Sequence, residues 1–304
     1  MPIEKTQKIW MDGKFVDWED ATVHVLTHAL HYGTGVFEGI RAYRTNAGTA
    51  AFRLTEHMRR LHRSAKIVMI EVPFSIEELV EAAKETVRIN GLSECYIRPI
   101  VYFGYGEMGV NPLSNPVRVA IACWHWGSYL GEEGLISGIR VKTTSWQRID
   151  MNALPPQAKT TAGYLNSALA KIEAVKAGYD EAVFLNPQGT IAEGPGENLF
   201  IVRDGVLITP TKVAAGLEGI TRDSVIRIAR DLGYDVREEN ISRAEVYSAD
   251  EAFFTGTAAE LTPIREIDDR AIGAPGPVTK KLQETFFAAA RGEIEAYLRW
   301  NEYV

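Results

Sequence analysis

The chain is short of cysteine: Cys95 and Cys123 are the only two, and neither stands in a CxxC pair. A disulfide framework and a cysteine-built zinc motif are therefore not indicated, and reduced thiols in the cytoplasm are the simple reading. Long apolar runs are also missing, so no membrane span is expected. The opening "MPIEKTQKIW" has no apolar core of the kind a secretory signal needs. A basic excess is lacking too. Lys and Arg number 33 against 40 Asp and Glu, for a net charge of -7. That disfavours nucleic-acid and anionic-membrane surfaces, which need a concentrated basic face, but leaves room for a local basic pocket and a small anionic substrate. There is no GxSxG and no Walker loop, and Ser128 and Ser145 have no triad partners nearby. Repeats and low-complexity tracts are absent as well. What remains is ordinary globular material: 304 residues, 46% hydrophobic and 24% charged, enough for one large domain or two medium ones.

Two apparent motifs dissolve in context. Gly104-Tyr105-Gly106-Glu107-Met108-Gly109 spells GxGxxG after an apolar run. A dinucleotide site needs a helix to start there, and Pro112 and Pro116 forbid one, which undercuts a nicotinamide-dependent dehydrogenase. His24, His28 and His31 have helical metal-ligand spacing, but Thr22, Val23, Val25 and Thr27 favour strand or loop. No carboxylate or cysteine cluster accompanies them. Hydrogen-bonded or packed histidines are the reading preferred over zinc, and no metal site is expected.

The order of elements predicts two α+β domains, residues 1–126 and 138–304, joined by a glycine-rich loop at 127–137. "KIWMDGKFVDW" reads as a hairpin about Asp12-Gly13, and "NLFIVRDGVLITP" as another about Asp204-Gly205. "ATVHVLTHALHYGTGVFEGIRAY" reads as strands and a tight loop. Helices are predicted from Thr55, with Met58, Leu61, His62 and Ala65 on one face, and from Ser75, where Glu78 completes a capping box. Ser242 and Glu245 form a second box. "CYIRPIVYFG", "VRVAIACWHW" and "EAVFL" read as strands, and "EAFFTGTAAEL" as a strand ending in a small-residue loop. A helix after Tyr164 carries Leu165, Ala168, Leu169 and Ile172 as its apolar stripe. Another after "GLEGITR" carries Val225, Ile228, Ala229 and Leu232, and the C-terminus is helical. Strands come in hairpins, not in βαβ alternation, so a doubly wound sheet is not expected.

Lys159 has an unusual setting. In "NALPPQAKTTAGYLNSALAK" it follows two prolines and sits among alanine, threonine and glycine, just before a helix. A lysine nucleophile needs partial burial and neighbours that lower its pKa, and small flanking residues let a large ring approach the backbone. An aldehyde cofactor such as pyridoxal 5'-phosphate needs more: a carboxylate for the pyridine nitrogen, a donor for the ring oxygen and an anion cradle for phosphate. Glu193 in "TIAEGPGENLF" meets the first need, and Tyr164, one turn past Lys159, the second. "GLEGITR" meets the third, with Gly219 and the amides of Ile220 and Thr221 at a helix N-terminus. Gly256 and Thr257 in "TGTAAE" offer a further loop and hydroxyl.

With these residues in view, the chain closely resembles the bacterial branched-chain-amino-acid aminotransferases, fold-type IV pyridoxal-phosphate enzymes. The carrying stretches are "HALHYGTGVFEGIRAY", "EHMRRLHRSAKI", "YIRPIVYFG", "QAKTTAGYLNS", "EGPGENLF", "AGLEGITRD" and "FFTGTAAELTPI". Ala215 departs from the proline frequent before that glycine. The resemblance implies a small N-terminal α/β domain and a larger C-terminal one with a β-barrel-like core, the active site lying at the domain interface. It implies Lys159 as the lysine bonded to the cofactor, Tyr164 at the ring oxygen, Glu193 at the pyridinium nitrogen and Leu217 near the ring. Arg60, not Arg59, matches the phosphate-binding arginine of "MRRL", with Ile220, Thr221 and Thr257 as further phosphate contacts. It assigns substrate to Tyr32, Phe37, Gly39, Tyr96, Arg98, Trp126, Tyr129, Thr257 and Ala258. Arg98 with the Tyr32 and Tyr129 hydroxyls would hold the side-chain carboxylate of glutamate.

The implied activity is reversible transfer of the amino group of leucine, isoleucine or valine to 2-oxoglutarate in two half-reactions. Lys159 would act as the base at Cα. The implied assembly is at least a homodimer, and the family includes trimers of dimers. D-amino-acid aminotransferase, (R)-selective amine transaminase and aminodeoxychorismate lyase share the fold, but "VFEGIRAY", "YIRP" and "GTAAEL" favour the branched-chain type. A non-catalytic metabolite-binding protein is the reading from outside the family.

Overall fold

The structure, a computed structural model, describes residues 3–127, 129–273 and 275–304; Ser128 lies outside them. Their contacts divide the chain into two compact units. The first holds residues 1–126, 158–162 and 288–304, and the second 127–157 and 163–287.

The first unit opens with the expected hairpin, β1 (Lys8–Met11) and β2 (Lys14–Asp17). Asp12 and Gly13 both have positive φ, 48° and 91°, as this tight turn demands. A short helix α1 (His28–Tyr32) follows, then β3 (Gly35–Phe37), β4 (Ile40–Thr45) and β5 (Gly48–Phe52). Helices α2 (Leu54–Ile67) and α3 (Ile76–Ile89) precede the long strands β6 (Cys95–Phe103) and β7 (Val117–Trp124). Among the described residues the sheet has eight strands, ordered from the terminal strand Asn301–Tyr303 through β5, β4, β6, β7 and β1 to β2, with β3 also on β6. Leu54, Met58, Leu61 and Ala65 of α2 and Leu79, Ala83 and Val87 of α3 share one core with Ile40, Ile97, Val119 and Ile121 of the sheet. The Ser75–Glu78 capping box fixes the start of α3.

The second unit contains α4 (Glu132–Ser137), β8 (Ile139–Thr143), α5 (Tyr164–Lys176), β9 (Glu181–Val183), β10 (Asn198–Arg203) and β11 (Val206–Thr209). Then come α6 (Lys212–Ala215), α7 (Ile220–Asp231), β12 (Val236–Glu238), α8 (Arg243–Tyr247), β13 (Glu251–Gly256), β14 (Glu260–Ile267), β15 (Arg270–Ala271) and α9 (Pro277–Ala290), whose last three residues belong to the first unit. The described strands again form one sheet, in the order β12, β11, β10, β13, β14, β8, β9, with β15 on β14. Helix α7 packs on β13 and α5 on β9. No described helix is long and apolar enough to cross a membrane.

Four expectations are corrected. Residues 28–32 are helical, because Gly33 in the left-handed region ends a turn that the β-branched residues before it do not reach. Part of the expected loop at 127–137 is α4, which buries Gly134 against Ile139. The stretch 138–304 does not stay together: Thr160 bridges Val36, and strand Asn301–Tyr303 pairs with β5, which draws both segments into the first unit. Finally, α5 turns its stripe outward. Leu165 and Ile172 are 68% and 50% exposed, while Ser167, Ala170 and Ala174 are buried beside Ala182, Phe184 and Ala192. Small side chains let the helix lie close to the sheet.

The GxGxxG stretch forms no helix. Gly104 donates to the Pro116 carbonyl, and Asn115 bonds both the amide and the carbonyl of Glu107. The three histidines are hydrogen-bonded locally. His28 lies between Thr34 Oγ1 and the Gly109 carbonyl, His31 Nε2 is 2.8 Å from the Val25 carbonyl oxygen, and His24 Nδ1 accepts from the Leu26 amide.

Candidate active site

Lys159 belongs to the first unit, and its backbone is held on two sides. Its amide donates to Ser64 Oγ on α2 at 3.0 Å, and its carbonyl accepts from the Phe37 amide on β3 at 3.0 Å. The Thr161 amide then donates to the Gly35 carbonyl at 2.8 Å, so residues 159–161 run as a strand fragment along β3. The second proline leads into a turn before it, and the small residues after it allow the approach: a β-carbon on Gly33 would fall 2.8 Å from that of Ala162. The Lys159 side chain is half-buried, its Nζ 5.4 Å from the centre of the Phe37 ring.

Beside it lies a fully buried charge cluster. Arg60 donates Nε to Glu38 Oε1 at 2.6 Å and Nη2 to Oε2 at 2.8 Å, and His57 Nδ1 is 2.8 Å from the same Oε2. Arg60 is buried and Arg59 is exposed, which separates the two candidates of "MRRL". Burial pushes the Glu38 carboxyl up, but the Arg60 guanidinium and His57 pull it further the other way, to well below the ordinary glutamate value. Burial, aided by the positive charges of Arg60 and Lys159, lowers the His57 pKa despite Glu38.

Strand β6 places Tyr96 and Arg98 on one face, two residues apart. The Arg98 guanidinium lies 4.8 Å from the centre of Phe37, 5.2 Å from Tyr96 and 5.7 Å from Trp124. Its Nη2 contacts Tyr96 Oη at 3.4 Å, while its buried Nε has no hydrogen-bond partner. The Trp126 ring lies tilted against Tyr96, with centres 5.1 Å apart, and Arg41 Nη2 donates to the Trp126 carbonyl at 3.3 Å. Tyr32, on α1, is 43% exposed and donates to the Met108 carbonyl.

In the second unit, Glu193 is buried and gripped at both oxygens. Arg148 Nε and Nη2 each lie 2.8 Å from Oε1, and Asn198 Nδ2 donates to Oε2 at 3.3 Å. Asn198 Nδ2 also donates to the Leu217 carbonyl. Gly216 has φ +107°, and a β-carbon there would stand 2.7 Å from Glu193 Oε1; one on Gly219 would stand 2.0 Å from Asn198 Oδ1. Gly219 leads into α7 with no capping side chain, so the helix N-terminus presents backbone amides at Ile220 and Thr221. Tyr164 is the first residue of α5, and Tyr129 precedes α4. β13 ends at Gly256, against the Gly196 carbonyl, and Thr257 and Ala258 form the half-buried turn after it.

The expected residues thus fall into two groups. Lys159, Arg60, Tyr32, Phe37, Gly39, Tyr96, Arg98 and Trp126 lie in the first unit; Tyr129, Tyr164, Glu193, Leu217, Gly219 to Thr221 and Gly256 to Ala258 lie in the second. Sequence reasoning missed Glu38, His57, Arg148 and Asn198. A lone carboxylate between Phe37 and Gly39 in an apolar run was a legible signal for Glu38. Arg148, in "TSWQRID", carried none.

Each unit's donors suit a part of one kind of group: in the first, a half-buried amine suits an aldehyde; in the second, a buried carboxylate braced by an arginine suits a basic ring nitrogen, and a glycine-led helix N-terminus suits a phosphate. The family comparison agrees: the model for amino-transferase class IV matches residues 35–267, and the chain belongs to that family. It is 52% identical to the branched-chain-amino-acid aminotransferase of Pseudomonas aeruginosa, over 97% of each chain. The crystal structure of the Escherichia coli branched-chain amino acid aminotransferase superposes with a TM-score of 0.96 at 48% identity, covering 98% of this chain and 99% of that one. The crystal structure of the T.th. branched-chain amino acid aminotransferase with pyridoxamine 5'-phosphate gives 0.95 at 54% identity, with the same coverage.

Proposed function

We infer that the chain transfers the amino group of leucine, isoleucine or valine to 2-oxoglutarate, and back, with pyridoxal 5'-phosphate as cofactor. Bound there, the cofactor supplies an aldehyde carbon that accepts and returns an amino group, and a ring that takes up the electron pair left at the substrate Cα. Lys159 Nζ is the amine that would hold this aldehyde, and as a free amine it would move the proton at the substrate Cα. Glu193, paired with Arg148 at 2.8 Å, would hold the pyridine nitrogen and favour its protonated form. Tyr164 donates to the ring oxygen. Arg60, the Ile220 and Thr221 amides and the Gly256-Thr257 turn hold the phosphate, with Leu217 beside the ring. Phe37, Tyr164 and Trp126 supply an apolar wall for a branched side chain, with Tyr96 also against substrate. Arg98 with Tyr32 and Tyr129 takes the glutamate side-chain carboxylate, and Gly39 and Ala258 leave room for substrate.

The observation that carries the reading is the two-sided backbone grip on Lys159, in a chain alike over its full length to branched-chain-amino-acid aminotransferases. Borohydride reduction of the loaded protein followed by peptide mass mapping tests it. The cofactor mass is expected on Lys159; its attachment to another lysine would overturn the assignment.

A homodimer is the minimum assembly in this reading. The outward stripe of Leu165, Ile172 and Val175 on α5 supports it, and sedimentation checks it. The free, buried Cys95 and Cys123 support a cytoplasmic setting.

A further inference from the structure

An ion pair with a buried carboxylate and a half-buried lysine lies in the second unit, outside the cofactor-binding set. Lys171 Nζ on α5 lies 2.8 Å from Glu181 Oε2 on β9 and donates to the Asp180 carbonyl at 2.6 Å. Glu181 is fully buried, and its Oε1 accepts from the Ala182 amide at 3.0 Å. Its carboxylate also accepts the Tyr129 hydroxyl, and the Lys171 ammonium lies 5.2 Å from the centre of the Tyr129 ring. The pair thus holds both ends of one tyrosine, hydroxyl through Glu181 and ring through Lys171.

We propose that Lys171 and Glu181 are positioning residues for Tyr129, and through it set the affinity for the dicarboxylate substrate. This rests on the reading above, in which Tyr129 meets that substrate's side-chain carboxylate. The physical reason is the phenol's single proton. While Glu181 is ionised beside Lys171, that proton is committed to Glu181 and fixes the rotamer of the hydroxyl. A buried carboxylate without its ammonium takes up a proton instead, and becomes a donor to Tyr129. The tyrosine then reverses its hydrogen-bond polarity without moving its ring.

The other groups facing the trio are Glu197 and Tyr164. Burial, reinforced by Glu181, pushes the Glu197 carboxyl up to about 8, so it adds no second fixed negative charge near neutrality. Neither Lys171 nor Glu181 is placed against cofactor or substrate, so both act only through Tyr129.

A double-mutant cycle on the loaded enzyme tests this, with KM for 2-oxoglutarate and for leucine measured separately. Tyr129→Phe, Glu181→Gln and Lys171→Met are each expected to change the 2-oxoglutarate KM by roughly three- to tenfold, with a smaller effect on leucine. The Tyr129→Phe/Glu181→Gln double variant is expected to match Tyr129→Phe alone, because the carboxylate acts through the lost hydroxyl. Lys171→Arg is expected to restore the wild-type KM. An unchanged 2-oxoglutarate KM in Tyr129→Phe would remove Tyr129 from the substrate site and fail the earlier reading. A Tyr129→Phe effect to which Glu181→Gln adds in full would overturn the positioning role alone. Thermal melts of the unloaded variants report stability separately. If Glu181→Gln does not fold, the Lys171→Met/Tyr129→Phe cycle gives the same decision.

Discussion

A β-carbon built on Gly39 would fall 1.8 Å from the hydroxyl oxygen of Tyr96 and 2.6 Å from its Cζ. The two residues are therefore fitted to each other, and Tyr96 in turn sets Arg98 and Trp126. In Gly39→Ala the rigid ring must swing away. Stability is expected to fall by about 1–3 kcal/mol, as in other overpacked sites. The kcat/KM for leucine should fall more steeply than the melting temperature suggests. Steady-state kinetics beside a thermal melt make the comparison; wild-type kinetics in this variant would show that the Tyr96 position is not used.

Glu38 pairs with the Arg60 guanidinium and bonds His57, so Glu38→Gln is expected to cost about 3 kcal/mol by leaving the buried Arg60 without its counter-charge. The sign of the pH effect follows from the direction of the shift. The folded-state pKa lies below the unfolded value of 4.5, so the stabilisation is fully present above that pH and drains away as the pH falls below it. The stability gap between wild type and variant, from denaturant melts, should thus be wide at pH 7 and shrink progressively as the pH falls below 4.5. A gap that stays constant would contradict the depressed carboxyl.

Glu197 works the other way. Its folded-state pKa, about 8, lies above the unfolded 4.5, so the unfolded chain loses the proton first as pH rises. The wild type is progressively penalised between those two values, and the penalty is constant above the upper one. Glu197→Gln is therefore expected to gain thermal stability relative to wild type from pH 5 to pH 8, and no more beyond. Melting curves across that range check the trend.

Arg148 donates twice to one oxygen of Glu193, and the rest of its fork reaches Asn166 and Ser167 at 3.3 Å. Arg148→Met removes that brace. Titration of the unloaded variant with pyridoxal phosphate is expected to show affinity lower by roughly 10- to 100-fold, the loss of one or two charge-assisted hydrogen bonds. Arg148→Lys, which keeps the charge but not the fork, should lie between. Equal affinity for all three proteins would remove Arg148 from the site.

Local chemistry made much of this legible. The Asp12-Gly13 and Asp204-Gly205 turns and the Ser75–Glu78 and Ser242–Glu245 boxes stand where their residues require, because each is decided within four positions. Long-range choices were not readable. Periodicity gave α5 an apolar face at Leu165 and Ile172, but the first demand on that helix was close approach to β9, which only Ser167, Ala170 and Ala174 permit. The strand Asn301–Tyr303 exists because β5 offers it an edge, a fact far away in sequence. At the site, Lys159 and Glu193 stood out by their small-residue settings. Arg148 and His57 did not, since an arginine or a histidine shows its partner only once the chain is folded.

The most direct test is the visible spectrum of the loaded protein through two additions. L-Leucine alone should abolish the band of the lysine-bound cofactor, and 2-oxoglutarate should then restore it, with Lys159→Ala showing neither change. A band that ignores L-leucine, or responds to D-alanine or an (R)-amine instead, would contradict branched-chain amino transfer.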